Sequence, residues 1–230
     1  MKKSYLTPSL RYCLALIIAA MVAGVPSMGA AQFIDAGTPT ATAEPGSGGD
    51  WGSLLPGGGG SESAEATPAV AGDVFVLPGS GVEIVVGPGV TTDTTPDTEV
   101  PDQIIVETDA GLGALAVLDA VGSPLGILER YVGGFGETMD SVVQVEAQSS
   151  PDLATGVYRV ETEGLTVYMF ISVDADTIDG FMVIEVVVAG SADMEDSLLQ
   201  IRENVTINGV PAFANVNEQD IVEIIARDEG

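Results

Sequence analysis

Three aspartates in the stretch DADTIDG, Asp174, Asp176 and Asp179, form the densest group of side chains in this 230-residue chain that could do chemistry. A calcium loop needs oxygen ligands at alternate positions, a glycine sixth and a bidentate glutamate twelfth. Counted from Asp174, Ile178 falls fifth, Asp179 sixth and Glu185 twelfth, inside the next apolar run. Gly180 comes one residue late, so the stretch is expected to be an acidic hairpin loop, with a Ca2+ site as the alternative. Asp93, Asp97, Glu99 and Asp102 make a second acidic run, which reads as a solvated spacer able to attract divalent ions diffusely.

Other chemistries lack their atoms. The chain has no histidine, its one cysteine is Cys13, and its lysines are Lys2 and Lys3. A mature chain without the first 31 residues would have no disulfide and no imidazole or thiolate zinc site. It would also lack a Ser-His-Asp or Cys-His nucleophile system, a Schiff-base lysine and a P-loop lysine. Carboxylates alone can hydrolyse glycosides, but such a site also needs an aromatic-lined cleft, and aromatic residues are 5% of the chain. Asp140, Glu146, Glu161 and Glu163 flank the strands below without forming a pair at any telling spacing. The glycines at 111 and 113, and those at 133, 134 and 136, lack the spacing of a phosphate cradle. No catalytic or cofactor-binding residue is therefore assigned, and the chain is expected not to be an enzyme.

The first 31 residues read as a secretory signal peptide. Lys2, Lys3 and Arg11 precede the apolar run from Cys13 to Val25, and Pro26, Ser27, Gly29, Ala30 and Ala31 supply a small-residue cleavage region. The run is shorter than the ~20 residues that span a bilayer, so an uncleaved anchor is the alternative. Cys13 lies at the start of the run rather than at the cleavage point, which argues against a lipid anchor. Cleavage would leave Arg130, Arg159, Arg202 and Arg227 to face all 34 acidic residues. A surface so anionic repels phosphates and anionic headgroups, so neither nucleic acid nor membrane insertion after cleavage is expected.

Residues 32–72 are rich in Gly, Ser, Pro, Thr and Ala and are expected to be a disordered tether, in which Trp51, Leu54 and Leu55 are the apolar spot. Residues 73–89 read as a β-hairpin turning at Pro78–Gly81, expected to pair with the main sheet, and 90–102 as an acidic spacer. The remaining residues, 103–230, are expected to form one α+β domain, an antiparallel β-meander packed against helices.

Within that domain QIIVET is a strand, and Leu112, Leu115 and Leu118 of GLGALAVLDAV recur at helical spacing. Ser123 and Pro124 open a second helix, with Leu125, Leu128, Val132 and Phe135 as its apolar stripe and Glu129, Arg130 and Glu137 on its wet side. SVVQVEAQ, GVYRVET, LTVYMFISVDAD and FMVIEVVVAG follow as strands. The third is apolar on both faces, which predicts a central position, and Glu185 interrupts the fourth. Asp193 is the expected cap of a helix carrying Met194, Leu198 and Ile201. Asn208-Gly209 turns a last hairpin, and Asn217 caps a helix carrying Ile221, Ile224 and Ile225. Asn204-Val205-Thr206 is a glycosylation triplet.

The order of helix pair, antiparallel strands, helix and short strand ending in Phe213 resembles the second half of PsbP-like extracytoplasmic domains. GVYRVETEGL leading to VYMFISV is the best-fitting part, and the likeness runs from Leu112 to Phe213. The resemblance implies an accessory or binding protein and brings no catalytic residue. The sequence thus leads to an exported, non-enzymatic binding or interaction domain, whose partner is a protein or a small ligand. A carboxylate-based or calcium-dependent exported enzyme and a cell-surface structural component are the alternatives.

Overall fold

The structure, a computed structural model, describes residues 71–93, 103–137, 139–162 and 164–230. The expected signal peptide, nearly all of the expected tether with Trp51, and residues 94–102 of the expected spacer lie outside the described residues.

Among those described, every strand pairing is antiparallel, as an α+β domain requires. The larger sheet joins β3 (Thr91–Asp93), β4 (Gln103–Glu107), β5 (Gly111–Leu118), β6 (Ser141–Ser149), β7 (Leu153–Thr162), β8 (Leu165–Asp174) and β9 (Phe181–Val188) in the order β3-β4-β5-β9-β8-β7-β6. The smaller sheet joins β1 (Asp73–Val76), β2 (Glu83–Val86), β10 (Val205–Ile207) and β11 (Val210–Pro211) in the order β1-β2-β10-β11. Helices α1 (Pro124–Gly133), α2 (Ser191–Asn204) and α3 (Glu218–Glu229) complete the unit.

The meander forms where the alternation places it. β8 and β9 are central, and because both faces of the sheet are covered they read as unbroken apolar runs. Val167, Met169, Ile171 and Val173 of β8 join Ile127, Leu128 and Tyr131 of α1 in one core layer. Tyr168 and Phe170 point the other way, into a layer built with Met194, Leu198 and Ile201 of α2 and Ile221, Ile224 and Ile225 of α3. Ile84, Val86, Val205 and Ile207 of the smaller sheet close this second layer.

Four expectations are corrected. The segment 111–118 is strand β5, not the first of a helix pair, although the PsbP-like order leans on that helix. Gly111, Gly113, Leu115 and Val117 alternate with Leu112, Ala114 and Ala116, and the glycines lie under α2. A Cβ on Gly111 would come within 2.7 Å of the Val187 carbonyl and 2.9 Å of the Ser197 hydroxyl, and one on Gly113 within 3.2 Å of Ile201. Small residues are needed there for helix–sheet approach, and leucines three apart fit either period. Second, hairpin β1–β2 does not join the meander: β2 pairs with β10, making a separate sheet in place of a single layer. Third, the 90–102 spacer begins with a strand, β3, on the edge of the larger sheet. Fourth, α2 starts at Ser191 with Gly190 as N-cap, so Asp193 lies in its first turn.

A glycine cap offers no side chain, and the far end of the chain supplies the missing acceptor. Glu229 accepts the Ser191 amide (3.1 Å) and hydroxyl (2.7 Å). The acid suits the positive end of the α2 dipole. In α1, Ser123 caps as expected, accepting from the Gly126 amide (3.2 Å). Its buried stripe is Pro124, Ile127, Leu128 and Tyr131, with Leu125 and Val132 half-buried at its edge. The turn at Asn208 (φ 49°) and Gly209 (φ 82°) forms where expected, both residues in the left-handed region that a tight hairpin needs.

Candidate functional site

A groove of about 250 Å3 opens where the β6–β7 turn meets the loop leading into α3. Its first wall is Gln148, Ser149, Ser150, Leu153 and Thr155. The turn is pinned by the Ser150 amide donating to the Leu153 carbonyl (2.7 Å) and the Leu153 amide donating to Ser150 Oγ (3.1 Å). Its second wall is Asn215, Val216, Asn217, Asp220 and Ile221. The 211–217 loop that carries this wall passes through Phe213 at φ 61°, an unusual conformation for a bulky residue. The Phe213 ring packs on Phe170, with centroids 5.7 Å apart, so the core holds the strained residue in place.

Amides and hydroxyls share the lining of this groove with Leu153, Val216 and Ile221, and Asp220 is the ionisable side chain on its walls. Asn217 is the N-cap of α3, yet its side chain makes no capping hydrogen bond. Such a surface can exchange hydrogen bonds with a polypeptide backbone or hydroxyls. Its serines and threonine have no histidine or lysine to act as base, and Asp220 is the one carboxylate facing them.

The aspartates singled out in the sequence border this region without converging. Asp174 ends β8 and turns inward, its Oδ1 accepting the Asp176 (2.7 Å) and Thr177 (3.1 Å) amides. Its other oxygen meets the Asn215 amide at 3.4 Å. Asp174 thus shapes the loop and ties it to the groove wall. Among the described residues no group of three or more His, Cys, Asp or Glu is placed to hold a metal ion. The glycosylation triplet is also internally engaged, with Asn204 accepting the Gly89 amide (3.3 Å) and donating to the Gln200 carbonyl (2.9 Å), and Thr206 buried.

Charge is distributed one way. Arg159 reaches Asp228 (2.7 Å), Arg202 reaches Glu218 (2.8 Å) and Arg227 reaches Glu146 (3.3 Å). Arg130 donates to the Gly126 and Val121 carbonyls beside it. Asp228 also accepts the Tyr168 hydroxyl (2.9 Å), and the guanidinium and phenol together hold its carboxyl below the usual range. All four arginines of the described residues are used internally, while most of the carboxylates have no cation beside them.

Edge strand β6 runs straight into the groove. Among the described residues its outer side has no strand partner, and a bulge at Val145, between Gln144 and Glu146, twists the strand and separates its two halves. The segment Glu146–Ser149 therefore presents a short free edge that ends at Gln148 and Ser149. Gln148, Asn215, Asn217 and Asp220 carry no linear signal, because two segments some sixty residues apart build the site.

No family model matches the chain, and no curated protein matches it. Among solved structures it is similar to the Saccharomyces cerevisiae Ran-binding protein Mog1p, 13% identical with a TM-score of 0.41 over 69% of this chain and 94% of that one. It is also similar to a mutant of protein Mog1, 14% identical with a TM-score of 0.40 over 67% and 93% of the two chains.

Proposed function

We propose that this chain is an exported, non-enzymatic interaction domain, carried on the linker of residues 32–72, that takes an extended cationic segment of a partner protein. The segment adds to the free Glu146–Ser149 edge of β6 through main-chain hydrogen bonds, and a basic side chain enters the groove toward Asp220. The observation that carries this reading is the internal use of every arginine of the described residues, beside a free strand edge that leads into a groove whose ionisable side chain is Asp220. An acidic surface with its own cations engaged favours basic partners and repels acidic ones.

The test is a calorimetric and NMR titration of the full chain with a ten-residue alternating Lys-Thr peptide and with its Glu-Thr counterpart. The Lys-Thr peptide is expected to bind, to weaken at least tenfold when ionic strength rises from about 0.01 to 0.15 M, and to shift the amide signals of Gln148, Asn215 and Asp220. Asp220→Asn is expected to weaken it several-fold. Equal binding of both peptides, or shifts confined to the α1 side of the sheet, would sink the reading.

A further inference from the structure

We propose that α1 is a cover held shut by a proton: it stays docked on the sheet while Glu185 is protonated and is released as that proton is lost. Glu185 sits in the middle of β9, flanked by β5 and β8, and is fully buried. Its side chain faces the layer beneath α1, where the Tyr131 hydroxyl donates to Oε2 (3.1 Å) and Oε1 has no partner. A carboxylate with one hydrogen bond and no cation costs far more to bury than a carboxylic acid.

Among the described residues, the groups around it offer no counter-charge. Tyr131 is the titratable side chain facing it from α1, with Glu129 and Arg130 on the exposed side of that helix. Across from Glu185 stand Ala114 on β5 and Ile171 on β8, and β7 contributes Tyr158 to the same layer. Burial raises the Glu185 pKa to about 8, and the Tyr131 hydrogen bond acts against that rise. Burial and the nearby acid push the Tyr131 phenol well above its usual value, so it remains a donor throughout.

The helix is built to leave. Gly122, at φ 151°, precedes it and Gly133-Gly134 ends it. Arg130 spends its guanidinium on the neighbouring carbonyls rather than on the sheet. Leu118, Leu125, Val132 and Val142 are only half-buried at the rim of the layer, so less apolar contact resists undocking there.

The docked state keeps a proton that the open, hydrated carboxyl would release. Docking is therefore strongest below about pH 4.5, weakens as pH rises to about 8 and is constant above that. The opening constant of α1 should rise about tenfold per pH unit across that window, roughly 10³-fold in all.

Hydrogen exchange of the full chain from pH 5 to 9, expressed as protection factors free of the intrinsic base catalysis, tests this. Amides of α1 are expected to lose protection with that slope while α2 and α3 keep theirs. Glu185→Gln, similar in volume and without a titration, should make α1 flat with pH. Tyr131→Phe, which removes the bond favouring the ionised form, should carry the plateau to higher pH. Loss of protection in α1 and α2 together, a slope that survives Glu185→Gln, or an NMR titration of the Glu185 carboxyl below pH 6 would each overturn the proposal.

Discussion

The two faces of the larger sheet are covered in different ways. On one face α2, α3 and the smaller sheet close a layer of buried side chains, with Phe75, Val145 and Ile178 partly buried against it. Ties between distant parts of the chain reinforce it: Arg159 and Tyr168 to Asp228, Arg202 to Glu218, and Glu229 to Ser191. On the other face α1 lies between glycines, has a half-buried rim and meets the sheet at a carboxyl with one partnered oxygen. The first face is built to persist and the second to yield, because polar groups tie distant segments together on one and leave a buried carboxyl oxygen without a partner on the other.

The contrast can be broken from the rigid side first. Phe170→Ala removes a fully buried ring that also supports Phe213, and it should cost about 3–5 kcal/mol in denaturant unfolding, lowering every probe together. An equal loss from Ile127→Ala on α1, again shared by all probes, would erase the distinction between the faces. Gly111→Ala comes next. Its Cβ meets the Val187 carbonyl and the Ser197 hydroxyl, so overpacking should cost about 1–3 kcal/mol and push α2 outward. Smallest is Glu229→Ala, which unlinks the α2 N-terminus at a solvent-exposed site and should cost about 0.5–1 kcal/mol, read as faster exchange confined to the first turn of α2.

Much of this architecture can be read from local pattern. Strands β6 to β9 follow from alternation, α1 from Ser123-Pro124, and the β10–β11 turn from Asn208-Gly209. The double-sided apolar character of β8 placed it centrally, with cover on both faces. β5 escaped because glycines and alanines carry little periodic signal, and the small size of Gly111 and Gly113 answers to α2, eighty residues later. The second sheet escaped for a related reason: nothing in DVFVLPG or VEIVVGPG names β10 as partner. The groove was hidden by its assembly from two distant segments. Glu185 was visible as an interruption, but its surroundings belong to a helix fifty residues before it. The aspartates of DADTIDG were legible as loop residues, and Asp174 spends its oxygens on the loop's own amides.

The pairing of β2 with β10 bears on the order in which the chain can settle. Residues 83–86 are made early and lie edge-on with no strand beyond them until residues 205–207 emerge. Until then Ile84 and Val86 have no lasting shelter, so nearly the whole polypeptide must arrive before the first hairpin can come to rest. Closing so long a loop makes folding slow.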